Sequence, residues 1–533
     1  MERVLINRRK TSFFSTISND LIYGDTKLAP FISADFSLKN FPQQIKLKTE
    51  NFDHSSRLIL TNELIRQYDK LTISELVKSN IASLQDEKTF TVVTGHQLNL
   101  FGGPLYIVYK IAHILKLARQ IEAENPGQKI VPVFWMASED HDFLEINNLN
   151  LFGNKVAWET EQSGAVGRFS LVGINDFKDD VLDYFMNDSA AQGFIATYYT
   201  DADKNLANAT RRLINDLFGH YGLVIIDGDS EALKRLFIPV MQKEIETSFS
   251  SQAVEITTKA LVELGYKAQV TPREINLFYL DESGRTRIVE ENGEFRVGDQ
   301  LLPKTELLRL IEQSPSSFSP NVVLRPIYQE FILPNLAYVG GVGEMAYWLQ
   351  LKGVFDALNL SYPIIQVRNS FQLFDRGVMK KLDKLGLTPS NCFEDIHQLK
   401  KQFVMDNSTT EMDFVKLDEL MEEISTEMET LIIAVDGGLK GYGQSEITRL
   451  NKQLVGVKDK LVRQQKKKFE TSLQQIDAVI DKLFPNNGLQ ERHENILSVG
   501  MRFGIHGFIS MIIDACDPQS NDLIVLIDKA EVE

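Results

Sequence analysis

Residues 90 to 118 leave this chain little choice of fold. Phe90 to Val93 is aromatic and β-branched with no charge, the pattern of a fully buried strand. Thr94-Gly95-His96-Gln97-Leu98-Asn99-Leu100-Phe101-Gly102-Gly103-Pro104 follows, a glycine-rich polar stretch. Gly95 allows a sharp turn, Gly102-Gly103 lets the backbone pass close to a ligand, and Pro104 suits the first turn of a helix. From there Leu105, Val108, Ile111, Ala112, Leu115 and Ala118 keep helical spacing. Strand, loop and helix in this order belong to an open parallel sheet of the α/β class. The loop then lies at the carboxyl edge, where free N–H groups and the helix dipole favour an anion.

A second buried strand, Ile130 to Met136, ends in Ser138-Glu139-Asp140-His141-Asp142. If the two strands are neighbours, both polar ends face one crevice. Glu139, Asp140, His141 and Asp142 allow a metal cluster, an acid–base group or a charged helix cap. Four adjacent side chains cannot all point one way, so at most two or three serve one site. His96 stands in the loop rather than on a helix face, which favours a functional role. His113 falls among the more polar helix positions with Tyr109 and Lys116 and reads as a solvated or boundary residue. Trp135 closes its strand, either walling a pocket or packing in the core.

The remaining chain divides by pattern. Residues 1–150 hold the first part of the core with a helical lead-in, and 151–222 read as an insertion. The core continues in 223–266, where Leu223 to Gly228 is a buried strand and turn and 231–264 is one or two helices. Residues 267–313 form a β-rich insertion with short extended pieces at 268–270, 277–280, 285–289 and 294–297. They are joined by turns at Glu282-Ser283-Gly284 and Glu291-Asn292-Gly293. In the second part of the core, 314–400, Asn321 to Pro326 reads as extended and ends in Arg325. Tyr338-Val339-Gly340-Gly341-Val342-Gly343-Glu344 then forms a second glycine-rich loop before a helix opening at Met345. Two such loops with Arg325 and Glu344 close by point to a nucleotide or phosphorylated ligand. A strand at 363–367 ends in Arg368, with Ser370 beside it.

Residues 401–485 read as a coiled-coil hairpin. Leu417, Met421, Ile424, Met428, Leu431 and Val435 repeat every three or four residues. The period returns in Leu450, Leu454, Val457 and Leu461 after glycines at 437–443, and again from Phe469 to Leu483. Lys466, Lys467 and Lys468 read most simply as a solvated face, with an anion site as the alternative. Residues 486–533 return to the core as helices.

Composition limits the function. A net charge of −16 over 533 residues argues against a nucleic-acid surface. Only Cys392 and Cys516 are present, so neither a disulfide framework nor a cysteine zinc cluster is expected. No leader pattern and no run of about 18 apolar residues occurs, so neither a membrane span nor export is expected, and a cytoplasmic enzyme is.

The motifs Thr94-Gly95-His96-Gln97, Gly103-Pro104-Leu105-Tyr106, Val131 to Ala137 and Glu139-Asp140-His141-Asp142-Phe143 together carry a resemblance. With them go Leu324-Arg325-Pro326, Leu336 to Gly341, Gly343-Glu344, Tyr347-Trp348, Arg368, Ser370 and Leu489-Gln490-Glu491-Arg492. In this combination the chain resembles the bacillithiol biosynthesis cysteine-adding enzymes (BshC type). The resemblance implies a Rossmann-like, nucleotidylyltransferase-like core interrupted by connecting-peptide insertions at 151–222 and 267–313. It also implies an α-helical coiled coil that pairs subunits into a homodimer. The implied reaction joins cysteine through an amide bond to the amine of glucosaminyl-malate. Amide formation from a free carboxylate needs activation, which an adenylate or acyl phosphate supplies, so ATP or another nucleotide is the expected cofactor, with no zinc. Related ligases carry a His-x-Gly-His signature at the first strand end, where this chain has Gly95-His96-Gln97.

On this reading His96, Asp140, His141 and Glu344 are the catalytic candidates. Thr94, Gly95, Gln97, Asn99, Gly103, Trp135, Glu139, Asp142, Arg325, Tyr338, Gly340, Gly341, Trp348, Arg368 and Ser370 are the candidates for binding substrate or nucleotide. Two other readings stand beside it. One is a coiled-coil assembly protein that binds a nucleotide for regulation, the other a ligase joining a different amino acid to another amine.

Overall fold

The computed structural model describes residues 1–281, 284–408 and 414–528, with the side chains of Gln465 and Lys466 left out. The turn expected at Glu282-Ser283 and the side chain of Lys466 therefore lie outside the described residues. The chain forms two compact units, one of Arg3–Gln372 with Gly488–Leu526, the other of Met1–Glu2, Leu373–Asn487 and Ile527–Glu533.

The larger unit is built on five parallel strands: β1 (Thr89–His96), β2 (Lys129–Met136), β3 (Val224–Asp227), β4 (Asn335–Gly340) and β5 (Ile364–Val367). Their spatial order is β5-β4-β1-β2-β3. This is the Rossmann-like order, which reverses direction between β1 and β4 and so opens a crevice beyond their carboxyl ends. β1 and β2 pair in register, Gly95 opposite Trp135 and His96 opposite Met136, so the two polar strand ends are side by side.

Helix α1 (Tyr106–Glu124) connects β1 to β2 and is buried on nearly every side. One face lies on the sheet; the C-terminal helix Ile505–Ala515 covers another. The reading of His113 as a boundary residue is thereby corrected. His113 is wholly buried, its Nε2 3.0 Å from Gln366 Oε1 of β5 while its Nδ1 accepts from Asn369 N at 3.1 Å. A helix wrapped on both sides has no polar face, and one-sided amphipathicity was the wrong premise.

Three local expectations also change. Asn321 to Pro326 is not extended: helix α2 (Leu324–Ile332) starts there. Asn321 caps it, its side chain accepting from Val323 N at 2.9 Å, and Pro326 falls in the first turn, where no N–H is needed. The helix expected from Met345 begins earlier, as α3 (Val342–Ala357), because Glu344 reaches back to accept from Gly341 N at 3.0 Å. Residues 268–270 form no strand, since Gln269 N and Val270 N donate to the side chain of Gln350 at 2.8 and 3.0 Å. The rest of that segment is β-rich, with strands Leu277–Asp281, Gly284–Arg287, Val289–Glu291, Glu294–Val297 and Gln300–Pro303. Two further strands, Glu2–Ile6 and Leu523–Ile527, lie side by side and were not read from the sequence.

The smaller unit carries the helical hairpin, α4 (Val415–Val435) against α5 (Lys440–Lys468). Gly441 and Gly443 lie inside α5, so the break is confined to residues 436–439. Lys458 of α5 pairs with Asp418 of α4. At the hairpin's base, Leu385, Leu399, Phe403 and Ile476 form a buried cluster. Among the described residues, no single helix is long and apolar enough to cross a membrane.

Candidate active site

A cavity of about 750 Å³ opens in the crevice beyond β1, β2 and β4. It is lined by Gly95, His96 and Gln97 from β1, Trp135 to His141 from β2, Tyr338 from β4, and Arg325, Glu344 and Tyr347 from α2 and α3. Across from them stand Gln269, Thr271, Arg273, Phe278, Arg285 and Arg287 of the β-rich segment.

Gly95 does not turn the chain, since β1 runs on through His96. A Cβ there would lie 3.2 Å from that of Trp135 and 3.6 Å from the Tyr338 hydroxyl, so glycine is needed for close approach of the strand ends. Beneath the floor, Lys110 of α1 places Nζ 2.5 Å from Glu344 Oε1 and donates to Gly95 O at 2.8 Å. Tyr338 donates to the other Glu344 oxygen at 2.9 Å. Lys110 and these donors hold the Glu344 carboxyl below its usual range, against the effect of burial. Glu344 is thus a charge fixed by three partners, which makes it a poor general base.

His96 Nε2 lies 2.9 Å from the Tyr106 hydroxyl. Burial, with the Lys110 ammonium adding, pushes the imidazole down to about 3, and burial pushes the Tyr106 phenol up to about 12. The pair is neutral near pH 7, able to donate or accept hydrogen bonds.

The acidic corner is built around Gln97, whose Nε2 donates to Asp140 Oδ2 and Glu145 Oε2, both at 2.7 Å. Asp140 Oδ1 accepts from His141 N at 2.7 Å and so fixes its own turn. His141 Nδ1 lies 3.1 Å from Arg285 Nη1. A guanidinium only donates, so Nδ1 accepts and Nε2 carries the hydrogen. Arg285 is further held by Ser319 Oγ and Pro320 O, both at 3.0 Å, and lies over the Phe278 ring. Glu139 is engaged elsewhere, 2.6 Å from the buried Lys234.

The basic side is less satisfied. Among the described residues, Arg273, Arg287 and Arg325 have no carboxylate within ion-pair distance. Arg325 lies 6.0 Å from the Trp135 ring centre and 5.9 Å from that of Tyr338, and donates to Gln329 at 3.1 Å.

The other sequence candidates sit off the cavity wall. Thr94 is buried, donating to Val339 O at 2.7 Å. Asn99 is buried under the loop, its amide 3.4 Å from Glu145 O. Gly103, expected beside a ligand, instead forms a tight turn: its φ is +60°, and a Cβ would fall 2.5 Å from that of Asn99. At Gly340 a Cβ would strike Met345, while the Gly341 N–H is spent on Glu344. Trp348 stacks beneath Tyr338, centroids 4.3 Å apart. Arg368 is buried in a two-pronged pair with Glu491, 2.7 and 2.9 Å, and contacts Ser370 Oγ at 3.3 Å. Asp142 is exposed. The N-termini of the two helices after the glycine loops are largely taken by protein atoms, Glu344 at α3 and Glu494 O, which accepts from Leu105 N at 2.9 Å. Capacity for an anion therefore resides in the arginines.

Lys110, Glu145 and Arg285 were not singled out from the sequence, and Tyr347 entered only through the Tyr347-Trp348 motif. Lys110 did leave a signal, a cation inside an apolar helical run, which burial permits only with a partner. Arg285 left none, because its place depends on how the β-rich segment folds over the sheet.

Both cysteines are buried, and burial pushes the Cys392 thiol up to about 12 and raises that of Cys516, so neither is a ready thiolate. Among the described residues, no group of three or more His, Cys, Asp or Glu side chains is placed to hold a metal.

Residues 1–369 match the family model described as bacillithiol biosynthesis BshC, N-terminal Rossmann-like domain, and residues 371–527 match the C-terminal coiled-coil domain of the same family. The chain is 39% identical over 495 residues to a protein of Flavobacterium johnsoniae named "Putative cysteine ligase BshC", covering 92% of this chain and 93% of that one. A protein of the same name from Flavobacterium psychrophilum is 39% identical, covering 96% and 97%. One from Christiangramia forsetii is 36% identical, covering 98% of each.

Proposed function

The chain belongs to the bacillithiol biosynthesis BshC family, and from that premise we propose that it is a ligase joining the carboxyl group of cysteine to the amine of glucosaminyl-malate. The observation that carries the reading is the division of charge in the cavity. Gln97, Asp140 and Glu145 form an acidic corner suited to an ammonium group, and Arg273, Arg287 and Arg325 face it with no ion-pair partner among the described residues. A substrate with an amine at one end and carboxylates at the other matches both sides, as glucosaminyl-malate does.

The bond formed is carbon to nitrogen; one carboxyl oxygen leaves and the amine gives up a proton. Asp140 and Glu145 hold the ammonium; Asp140 takes the proton whose loss frees the nitrogen lone pair for attack, and the nitrogen's second proton passes to Glu145 as the amide forms. The neutral His96–Tyr106 pair donates a hydrogen bond to the acyl oxygen, which gains negative charge in the transition state. Lys110 and Glu344 keep the floor rigid and its net charge near zero.

A nucleotide fits the cavity on charge, with Arg325 as the residue that would hold its phosphates while Arg273 and Arg287 hold the malate carboxylates. When bound, it would supply the phosphoryl-based leaving group that a free carboxylate lacks. The apolar seam of the hairpin suits a second copy of the chain, giving a dimer, and the enzyme is placed in the cytoplasm.

The test is incubation of the purified protein with cysteine, glucosaminyl-malate and ATP, with products followed by mass spectrometry. The expected product has the summed mass of the two substrates less one water, formed as ATP is consumed. Amide formation with a different amino acid or amine, and none with this pair, would reassign the substrates. No amide with any pair would favour a regulatory nucleotide-binding protein.

A further inference from the structure

Residues 267–276, between the helix Phe249–Glu263 and the strand Leu277–Asp281, form neither helix nor strand, yet they bring Gln269, Thr271 and Arg273 to the cavity. Thr271, Arg273 and Glu274 are exposed, so burial does not hold this stretch in place. An arginine on a loose span loses backbone and side-chain freedom when it meets an anion, and that loss weakens binding. Here polar side chains of the core tie the span at both ends. Gln350 of α3 accepts from residues 269 and 270, and Asn276 holds the other end.

Asn276 is wholly buried, and its side chain engages both backbone polar groups of Arg273. Its Oδ1 accepts from Arg273 N at 3.1 Å, and its Nδ2 donates to Arg273 O at 2.9 Å. A peptide N–H only donates, which fixes the orientation of the Asn276 amide. The same Oδ1 accepts from Asn321 Nδ2 at 2.7 Å, and Asn321 caps α2, the helix that carries Arg325. Behind Asn276 lies Glu244, also wholly buried. Glu244 Oε1 accepts from Asn276 N at 2.9 Å and from Ser250 Oγ at 2.7 Å, and Oε2 accepts from Ser250 N at 3.2 Å. Among the described residues, no cation lies within ion-pair distance of Glu244. A carboxylate buried among neutral donors adds little net stability, but it fixes where its donors point.

We infer that Asn276, backed by Glu244, is a positioning residue that presents Arg273 to a carboxylate of the substrate at a set spacing from Arg325. The inference rests on the reading of the cavity as the site of glucosaminyl-malate, and it adds that Arg273 is preorganised before the substrate arrives.

Calorimetric titration of the full chain with malate, the carboxylate half of that substrate, needs neither nucleotide nor turnover. Its outcome is therefore separate from that of the amide-synthesis assay. The Kd for malate should rise about 5-fold in Asn276→Ala and in Arg273→Gln, and the double variant should be weaker than either by less than about 2-fold. A general loosening of the fold would instead multiply the two losses. Residue-resolved hydrogen exchange of the wild type depends on no variant. The Arg273 N–H should exchange roughly 10-fold slower than those of Thr271 and Glu274, which have no hydrogen-bond partner among the described residues. Failure of amide synthesis with this pattern intact would remove the reaction and leave the positioning role standing. Unchanged malate affinity in Arg273→Gln or in a folded Asn276→Ala, multiplied losses in the double variant, no malate binding by the wild type, or an Arg273 N–H as fast as its neighbours overturns the proposal.

Discussion

Lys110 and Glu344 meet at 2.5 Å beneath the cavity floor, and removing either partner alone leaves a charge stranded in a largely buried place. Lys110→Met should cost about 3 kcal/mol or more, and adding Glu344→Gln should restore much of it. Urea unfolding of the two single variants and the double measures this; additive losses would mean the pair is not coupled. His113 gives a pH signature. The unfolded chain takes up a proton below about 6.5, whereas burial keeps the folded imidazole neutral down to about 4. This contribution to stability is complete above pH 6.5 and declines as pH falls toward 4, by on the order of 3 kcal/mol in all. His113→Gln should flatten the fall in urea-measured stability between pH 6.5 and 4.5. For the chemistry, Asp140→Asn with His141→Gln keeps size and the turn-capping oxygen but removes charge and imidazole. Amide synthesis should collapse with the melting temperature nearly unchanged; a lower melting temperature with normal activity per folded molecule would make the cluster structural.

At the scale of elements, what distinguishes this cavity is the β-rich segment folded across the end of the parallel sheet. Its strands were largely legible, since alternating apolar residues and glycine turns mark short antiparallel pieces. Their use was not, because a strand's pattern does not say which outside face it covers. Arg273 and Arg287 come from this segment and line the cavity beside Arg285. Arg273→Gln with Arg287→Gln should raise KM for glucosaminyl-malate about 10-fold or more, with kcat changed far less, because these groups bind an anion in ground and transition states alike. A fall in kcat at unchanged KM would place them at the reacting atoms instead.

At the scale of the whole molecule, the hairpin stands largely exposed. No residue of α4 is buried, and Leu417, Ile424, Leu431, Val457 and Leu461 are all at least 41% exposed. A heptad-like seam left open to this degree suits a partner helix. Replacing Leu454 and Leu461 with glutamate should convert a dimer to monomer or to soluble aggregate in light scattering. A variant that stays dimeric would move the subunit contact elsewhere.

The sequence by itself determined the elements whose signals are local. The uncharged β-branched run of β1, the apolar period of α1 and the repeat of the hairpin each follow from what one segment must bury. It also brought forward His96, Gln97, Asp140 and His141, because polar residues at the ends of buried parallel strands have a crevice to face. The tertiary structure decided what depends on contacts between distant segments. Only the order β5-β4-β1-β2-β3 sets Tyr338 and Glu344 beside Gly95, and only the packing of α1 against β5 gives the buried His113 its partners Gln366 and Asn369. Asn321 and Glu344 moved two helix starts by capping, and Lys110 found its counter-charge more than two hundred residues away. Burial and pairing are properties of the packed chain, so the roles of buried ionisable groups emerge only when the packing is complete.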